Sequence, residues 1–292
     1  MAYFVVWLQK QIIRLAAMFI RSSKQKRKRF LKEKTTKAEK KYLSRYLEIL
    51  DHPFPLPPAK CDGNCLFVCW WQGMEQAPDI VKKCIFNMKK YVTDREVVII
   101  TQQNINHYAD IPQYIFEKHK QGKISNTQLS DIIRVCLLAQ NGGMWIDSTV
   151  LLTAPLPDKI RQADFFAFHA DYHLKNNSWL LSSRRSDMLM VNMRSLMLAY
   201  WKAENRQLNY FLYHLFFDLM TENNAPAAAQ WAKTPILWDT DCYDIEHNLL
   251  KPFDIGLWNK VCAETSIHKL NYKYDKHINI QNTFLEHVLK NA

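Results

Sequence analysis

Residues 65–101 constrain the fold more than any other stretch. The apolar run CLFVCWW is followed by APDIVKKCIFNMKKY, where Ile80, Val81, Cys84, Ile85 and Met88 share one helical face and Pro78 stands at the first helical position. EVVIIT (96–101) then reads as a second buried strand. Strand, helix and strand in that order make a βαβ crossover, which demands a parallel sheet covered by helices.

The pattern continues along the chain. Pro112 opens a short helix, and SNTQLSDIIRVCLLAQNGG predicts a helix capped near Ser125 or Asn126 and stopped by Gly142. Leu129, Ile132, Ile133, Cys136 and Leu137 form its inner face, with Ser130, Asp131 and Arg134 on the other side. MWIDSTVLL reads as the next strand and DFFAFH as another; helices dominate 187–220, and the tail from 260 is mixed and ends in the helix-like QNTFLEHVLKN. The expected architecture is an α/β sheet domain over residues 51–292, with helical insertions in its second half, entered through the Pro-rich connector DHPFPLPPAKCDG. With 48% hydrophobic and 13% aromatic residues the chain can bury a sizeable core, and six glycines argue against a repeat protein or an all-β barrel.

The net charge of +11 suggests a nucleic-acid binder until it is located. Residues 1–45 hold 14 Lys and Arg against Glu33 and Glu39, so the rest of the chain is near neutral. Residues 1–50 therefore read as a basic arm, and no nucleic acid is expected as partner. In MAYFVVWLQKQIIRLAAMFI, Val5, Leu8, Ile12, Leu15, Ala16 and Phe19 share one face, while Gln9, Lys10, Gln11 and Arg14 interrupt the roughly 20 apolar residues a bilayer crossing needs. The segment lacks the basic start and small-residue cleavage site of a signal peptide. RSSKQKRKRF follows directly, and an amphipathic helix beside a polybasic cluster suits an anionic membrane surface, each basic residue contributing about 1 kcal/mol. The alternative is a helix packed on the body or on another subunit.

Seven cysteines without an export signal point to reduced thiols. Cys61, Cys65 and Cys69 form a C-x3-C-x3-C array, one residue longer than the C-x3-C-x2-C of radical-SAM clusters. Cys69 also lies inside an apolar strand, so structural thiols are the better reading, with a cysteine-ligated metal as the alternative.

One stretch breaks the apolar logic: NGGMWIDSTV (141–150) brings a bare carboxylate, Asp147, to the end of a buried strand. In α/β sheets ligands bind beyond the carboxyl ends of the strands. Alternation puts Trp145, Asp147 and Thr149 on one side. An acid there suits the task of holding Mg²⁺ or Mn²⁺ against a diphosphate. The plainer alternative is an acid that caps the next turn or pairs with an arginine.

SDIIRVCLLAQNGGMWIDSTV, with CWWQGMEQAPDIVKKC upstream and SIHKL downstream, resembles the capsular polysaccharide synthesis proteins. These belong to the GT-A glycosyltransferases related to yeast initiating mannosyltransferases and clostridial glucosylating toxins. The resemblance runs from about Leu66 to Lys273 and implies an α/β, GT-A type, Rossmann-like mixed sheet flanked by helices. It implies a nucleobase stacked on Trp70 or Trp71 beside Gln72, a nucleoside contact at Asn104, and a donor sugar and phosphates held by Asp131 and Arg134. It further places Trp145 in the donor pocket and makes Asp147 the first acid of a D-x-D motif. The plain alternatives are core aromatics for the tryptophans, a turn residue for Asn104 and a surface i, i+3 ion pair for Asp131 and Arg134.

The tripeptide here is Asp147-Ser148-Thr149, so the second acid of that motif is missing. The resemblance then implies a metal held by Asp147, phosphate oxygens, water and His268, with Lys269 offsetting diphosphate charge. NNSWLLSS (176–183) is expected to line the sugar pocket, and Tyr210 and His214 stand one helical turn apart. No general base is evident, and retaining enzymes of this group can pass the acceptor proton to the departing phosphate. The expected activity is metal-dependent hexosyl transfer from a nucleotide sugar, a UDP-sugar, to a surface polysaccharide or lipid-linked glycan. It is expected in the cytoplasm, peripheral on the inner membrane face. The rival reading is a non-enzymatic membrane-surface or nucleic-acid-binding adaptor acting through the basic arm.

Overall fold

The computed structural model describes residues 2–18, 23–170, 174–275 and 277–291, and for residues 2–5 the backbone alone. Of the arm, the side chain of Val5 and all of Phe19, Arg21 and Ser22 lie outside the described residues.

The chain opens with α1 (Ala2–Met18) and α2 (Lys24–Leu43), followed by a 3₁₀ segment over Ser44–Leu50. β1 (Cys65–Cys69), α3 (Asp79–Tyr91) and β2 (Glu96–Ile100) form the expected crossover, with β1 and β2 parallel and Cys69 opposite Ile100. Pro78 caps α3 rather than starting it. Two short helices, α4 (Ile105–Tyr108) and α5 (Gln113–Lys120), lead to α6 (Asn126–Asn141) and β3 (Gly143–Ile146). After β4 (Val150–Leu152) and α7 (Asp158–Arg161) come β5 (Phe165–His169) and β6 (Asn176–Ser183). The second half is mainly helical, with α8 (Met188–Ala203), α9 (Leu212–Asn223), α10 (Ala225–Trp231), α11 (Asp244–Asn248) and α12 (Ile255–Glu264). β7 (Ile267–Lys269) and α13 (Phe284–Asn291) end it.

Five strands make the main sheet in the order β2-β1-β3-β6-β5. β1 runs parallel to β2 and β3, and β6 runs antiparallel to both β3 and β5, so this is a mixed sheet flanked by helices. One face packs Phe67, Trp145 and Leu181 against α6, α8 and α9. The other packs Leu66, Met144 and Leu180 against α3, α13 and the two-stranded sheet of β4 and β7. The carboxyl ends of β1, β2 and β3 therefore open on one edge.

α6 forms where its caps predict. The Ser125 hydroxyl accepts from the Gln128 amide, and Gly142 closes the helix at φ +74°. Gly143 follows at φ +95°, and the pair turns the chain straight from α6 into β3. A Cβ on Gly142 would lie 2.5 Å from the Arg185 nitrogen, and one on Gly143 2.5 Å from the Cys65 oxygen. Only glycine lets β3 lie this close to β1.

Two expectations need correction. MWIDSTVLL is not one strand: β3 stops at Ile146, a turn covers Asp147 to Thr149, and β4 joins a different sheet. The cause is local, because the Val150 amide donates to the Asp147 carbonyl at 3.0 Å and closes the turn. The second concerns α6, whose supposed outer side is also covered: Asp131 and Arg134 are buried and Ser130 is half-buried.

The end of α2 is fastened to the body. Tyr42 and Leu43 are buried, Lys40 pairs with Asp218 at 3.0 Å and Glu222 at 2.7 Å, and the Tyr46 hydroxyl donates to Glu204 at 2.8 Å. Among the described residues no helix is long and apolar enough to cross a membrane.

Candidate active site

Asp147 stands where β3 leaves the sheet, its amide donating to the Trp179 carbonyl of β6 at 2.8 Å. Trp145 and Asp147 share a side as alternation requires, and the Trp145 indole N–H donates to Asp147 Oδ1 at 2.9 Å. Arg134 Nη2 donates to the same oxygen at 3.2 Å. On the other side Lys269 Nζ lies 3.7 Å from Oδ2 and donates to Thr149 Oγ1 at 2.6 Å. The carboxylate thus sits between two cations, with its side chain 26% exposed.

Arg134 is the hub. Its side chain is 5% exposed, its Nη1 donates to the Ser178 carbonyl at 2.7 Å and lies 3.2 Å from Asp131 Oδ1, and the guanidinium stands 5.0 Å from the Trp145 ring centre. Burial works against its charge, but Asp147 and Asp131 outweigh burial and raise its pKa. Burial pushes the Asp131 carboxyl up to about 6, Arg134 opposes this, and Asp147 adds to it. Gln128 Nε2 donates to Asp131 Oδ2 at 3.0 Å. A surface ion pair was the plain reading of Asp131 and Arg134, and their burial excludes it.

The remaining expected residues divide. Trp70 follows the carboxyl end of β1, edge-on to Tyr272 with ring centres 5.3 Å apart, and its buried indole nitrogen has no hydrogen-bond partner. Trp71 turns away and stacks on Phe116 at 6.0 Å, while Gln72 is exposed. Asn104 closes on its own turn, accepting from the Thr101 amide at 2.8 Å and donating to the Ile99 carbonyl at 2.8 Å. Tyr210 precedes α9 rather than lying one turn from His214 within it. Its pKa is raised by burial and then by Asp131 and Asp147. His214 lies half-buried beside the cluster; burial first, and then Arg134, holds its pKa down at about 3 against the pull of Asp147. In NNSWLLSS it is the Ser178 carbonyl that reaches the cluster, while Asn177 donates to Asp239 and the Trp179 indole to Tyr243.

His268 is not brought to Asp147. It shares a face with Leu151 and Thr153, accepting or donating at Thr153 Oγ1 over 3.1 Å, whereas Lys269 lies on the opposite face of β7. Burial pulls its pKa down to about 4 from an ordinary 6.5. The folded state thus holds a neutral ring that the unfolded chain protonates more readily. Its contribution is present above pH 6.5 and lost as pH falls toward 4, by about 1.4 kcal/mol per unit at most. His268→Gln is expected to remove that slope, so unfolding free energies of the two proteins should converge on acidification between pH 6.5 and 4. Parallel curves would refute it.

Gln128 and Tyr272 went unnoticed in the sequence. Gln128, Asp131 and Arg134 recur at intervals of three on one helical face, which was a readable signal. Tyr272 carried none.

The donor set around Asp147 does not suit a cation site built by the protein. Oδ1 is occupied by Trp145 and Arg134, Oδ2 faces an ammonium group, and His268 points elsewhere. Among the described residues no three His, Cys, Asp or Glu converge as a possible metal set, the array of Cys61, Cys65 and Cys69 included. Cys69 is instead a half-buried thiol beside this cluster, its pKa pushed up to about 12 by burial.

The family described as capsular polysaccharide synthesis protein matches residues 16–288. A solved structure described as "PaToxG Glycosyltransferase" is similar at TM-score 0.41 and 12% identity, over 77% of this chain and 83% of that one. That likeness is too distant to add to the reading of the site. No curated protein matches the chain.

Proposed function

The chain belongs to the capsular polysaccharide synthesis protein family, and from that premise we propose that it is a GT-A type glycosyltransferase using a nucleotide sugar, a UDP-sugar, as donor. The observation that carries the reading is Arg134, a buried guanidinium joined to both Asp131 and Asp147 at the carboxyl edge of the sheet, with Lys269 on its open side.

In the transfer, the bond from the sugar's anomeric carbon to the diphosphate oxygen breaks and its electron pair leaves with the diphosphate. A bond from the acceptor hydroxyl oxygen to that carbon forms, and the hydroxyl proton passes to the departing phosphate. Lys269 is the group free to turn from Thr149 toward the leaving diphosphate, because its ammonium already stands at the open side of Asp147. Arg134, locked by three partners, fixes where Asp147 and Asp131 point and so orients the donor. Trp70, with Tyr272 at its edge, offers the aromatic face for a nucleobase; such stacking is worth about 1–3 kcal/mol per base. Mn²⁺ or Mg²⁺ would arrive with the donor's phosphates and offset their charge. The acceptor is a surface polysaccharide or lipid-linked glycan, and residues 1–45 would meet the inner face of an anionic membrane.

The reading is tested by release of nucleoside diphosphate from a panel of nucleotide sugars, with divalent cation and with chelator, for the full chain and for Asp147→Asn. One donor should react, and the variant should lose at least a hundredfold in rate with its folding intact. Equal rates in both proteins would overturn the site. A rate that survives chelation would remove the cation and leave the transferase standing.

A further inference from the structure

The arm carries an apolar surface on its outside. Trp7, Leu8, Ile12, Leu15 and Met18 of α1 are between 44% and 69% exposed, whereas Val6 and Ala17 on the opposite side are 3% and 1% exposed. At 100° per residue the exposed set covers an arc of about 140°. A helix that meets only water turns such an arc inward, so this face is shaped for an apolar partner. The neighbouring helix supplies the charge: Lys24, Lys26, Lys28, Arg29 and Lys32 of α2 are all exposed. An apolar stripe on one helix and exposed cations on the next fit a bilayer carrying anionic lipid. A second copy of the chain would set those cations against their own kind.

The same arm is tied to the cluster of Asp131, Arg134 and Asp147. Lys10 on the inner side of α1 pairs with Glu39 of α2, which is 1% exposed. The other oxygen of Glu39 accepts from Asn209 Nδ2 at 2.6 Å. Leu208 closes a cavity of about 150 Å³ together with Trp7, Lys10, Gln11 and Arg14. Two residues after Leu208, Tyr210 accepts at its carbonyl from Gln128 Nε2 at 3.4 Å, and the same amide nitrogen holds Asp131 at 3.0 Å. Three consecutive residues, Leu208 to Tyr210, thus run from the underside of α1 to the cluster of Asp131, Arg134 and Asp147.

We propose that α1 and the segment 208–210 form the docking surface for a lipid-linked acceptor: the outer face of α1 lies in an anionic bilayer, and the acceptor's head, still anchored there by its lipid, reaches that cluster past Tyr210. This rests on the transferase reading and narrows its acceptor to the lipid-linked class. Tyr210 suits the role, since it is 63% exposed while its carbonyl accepts from the same Gln128 amide nitrogen that holds Asp131.

The experiment compares the full chain with Leu8→Glu/Ile12→Glu/Leu15→Glu and with Asn209→Ala. Each is sedimented with phosphatidylcholine vesicles with and without phosphatidylglycerol. Each is assayed on a sugar carried by a lipid diphosphate in those vesicles and on a water-soluble acceptor. The parent should bind only the anionic vesicles. The triple variant should lose that binding and at least tenfold in transfer to the lipid-linked acceptor, with transfer to the soluble acceptor within twofold. Asn209→Ala should keep vesicle binding and lose more in transfer to the lipid-linked acceptor than to the soluble one. Equal vesicle binding by parent and triple variant, equal losses on both acceptors, or a dimer dissolved by the triple variant without vesicle binding would each overturn the docking surface. Absence of reaction with any nucleotide sugar would instead fell the transferase reading and its acceptor class, while sedimentation would still decide whether α1 docks.

Discussion

Arg134→Met is expected to lower the stability of the folded chain by about 3–5 kcal/mol, the usual cost of removing one partner from a buried ion cluster. Methionine fills much of the space, so little of this comes from a cavity. The loss arises because Asp131, at 9% side-chain exposure, is left buried without its cation and must either stay ionised or take up a proton, while the Ser178 carbonyl loses its donor. Asp147, more open and still near Lys269, suffers less. Replacing Asp131 with Leu in the Arg134→Met background should recover part of the loss, since an apolar pair avoids desolvation of either charge. Chemical denaturation of the two variants reads both effects. A single-variant loss under about 1 kcal/mol would mean the cluster is solvated rather than buried.

Gly143→Ala is expected to cost about 3 kcal/mol or more, because strain and clash act together there. The residue holds φ +95°, and the added Cβ would sit 2.5 Å from the Cys65 carbonyl oxygen, a backbone atom that moves only if β1 moves. Gly73→Ala separates the two contributions. Gly73 has φ +91° but nothing within 4 Å of an added Cβ, so only the conformational penalty of about 1 kcal/mol should appear. Similar losses at the two sites would show that the contact between β3 and β1 is softer than its geometry implies.

Much of the fold could be read before any coordinates, because its strongest signals are local. The crossover from β1 through α3 to β2 was visible in two apolar runs and the helical face between them, and the limits of α6 in Ser125 and Gly142. The break at Asp147 was legible in kind, as an acid at a strand end, but its consequence was not. Whether the chain continues as one strand or crosses to another sheet depends on β7, which lies more than a hundred residues later. The burial of Asp131 and Arg134 was equally hidden. α6 is covered on its polar side by the segment at Tyr210 and by β6, and helical periodicity carries no information about distant cover. The pairing of His268 and Lys269 at one site was an avoidable expectation. Neighbours in a strand point to opposite faces, so one of them had to face away.

On the proposed function, the cluster of Arg134, Asp147 and Lys269 receives the diphosphate of a nucleotide sugar. The most direct measurement is thermal stability of the full chain against a panel of nucleoside diphosphates and nucleotide sugars, for the parent and for Lys269→Gln, with and without chelator. A ligand that binds only the folded state adds about 2.7 kcal/mol at a hundred times its dissociation constant. One nucleoside diphosphate should raise the parent's transition and leave that of Lys269→Gln where it was. No shift with any nucleotide, or the same shift in both proteins, would contradict the claim.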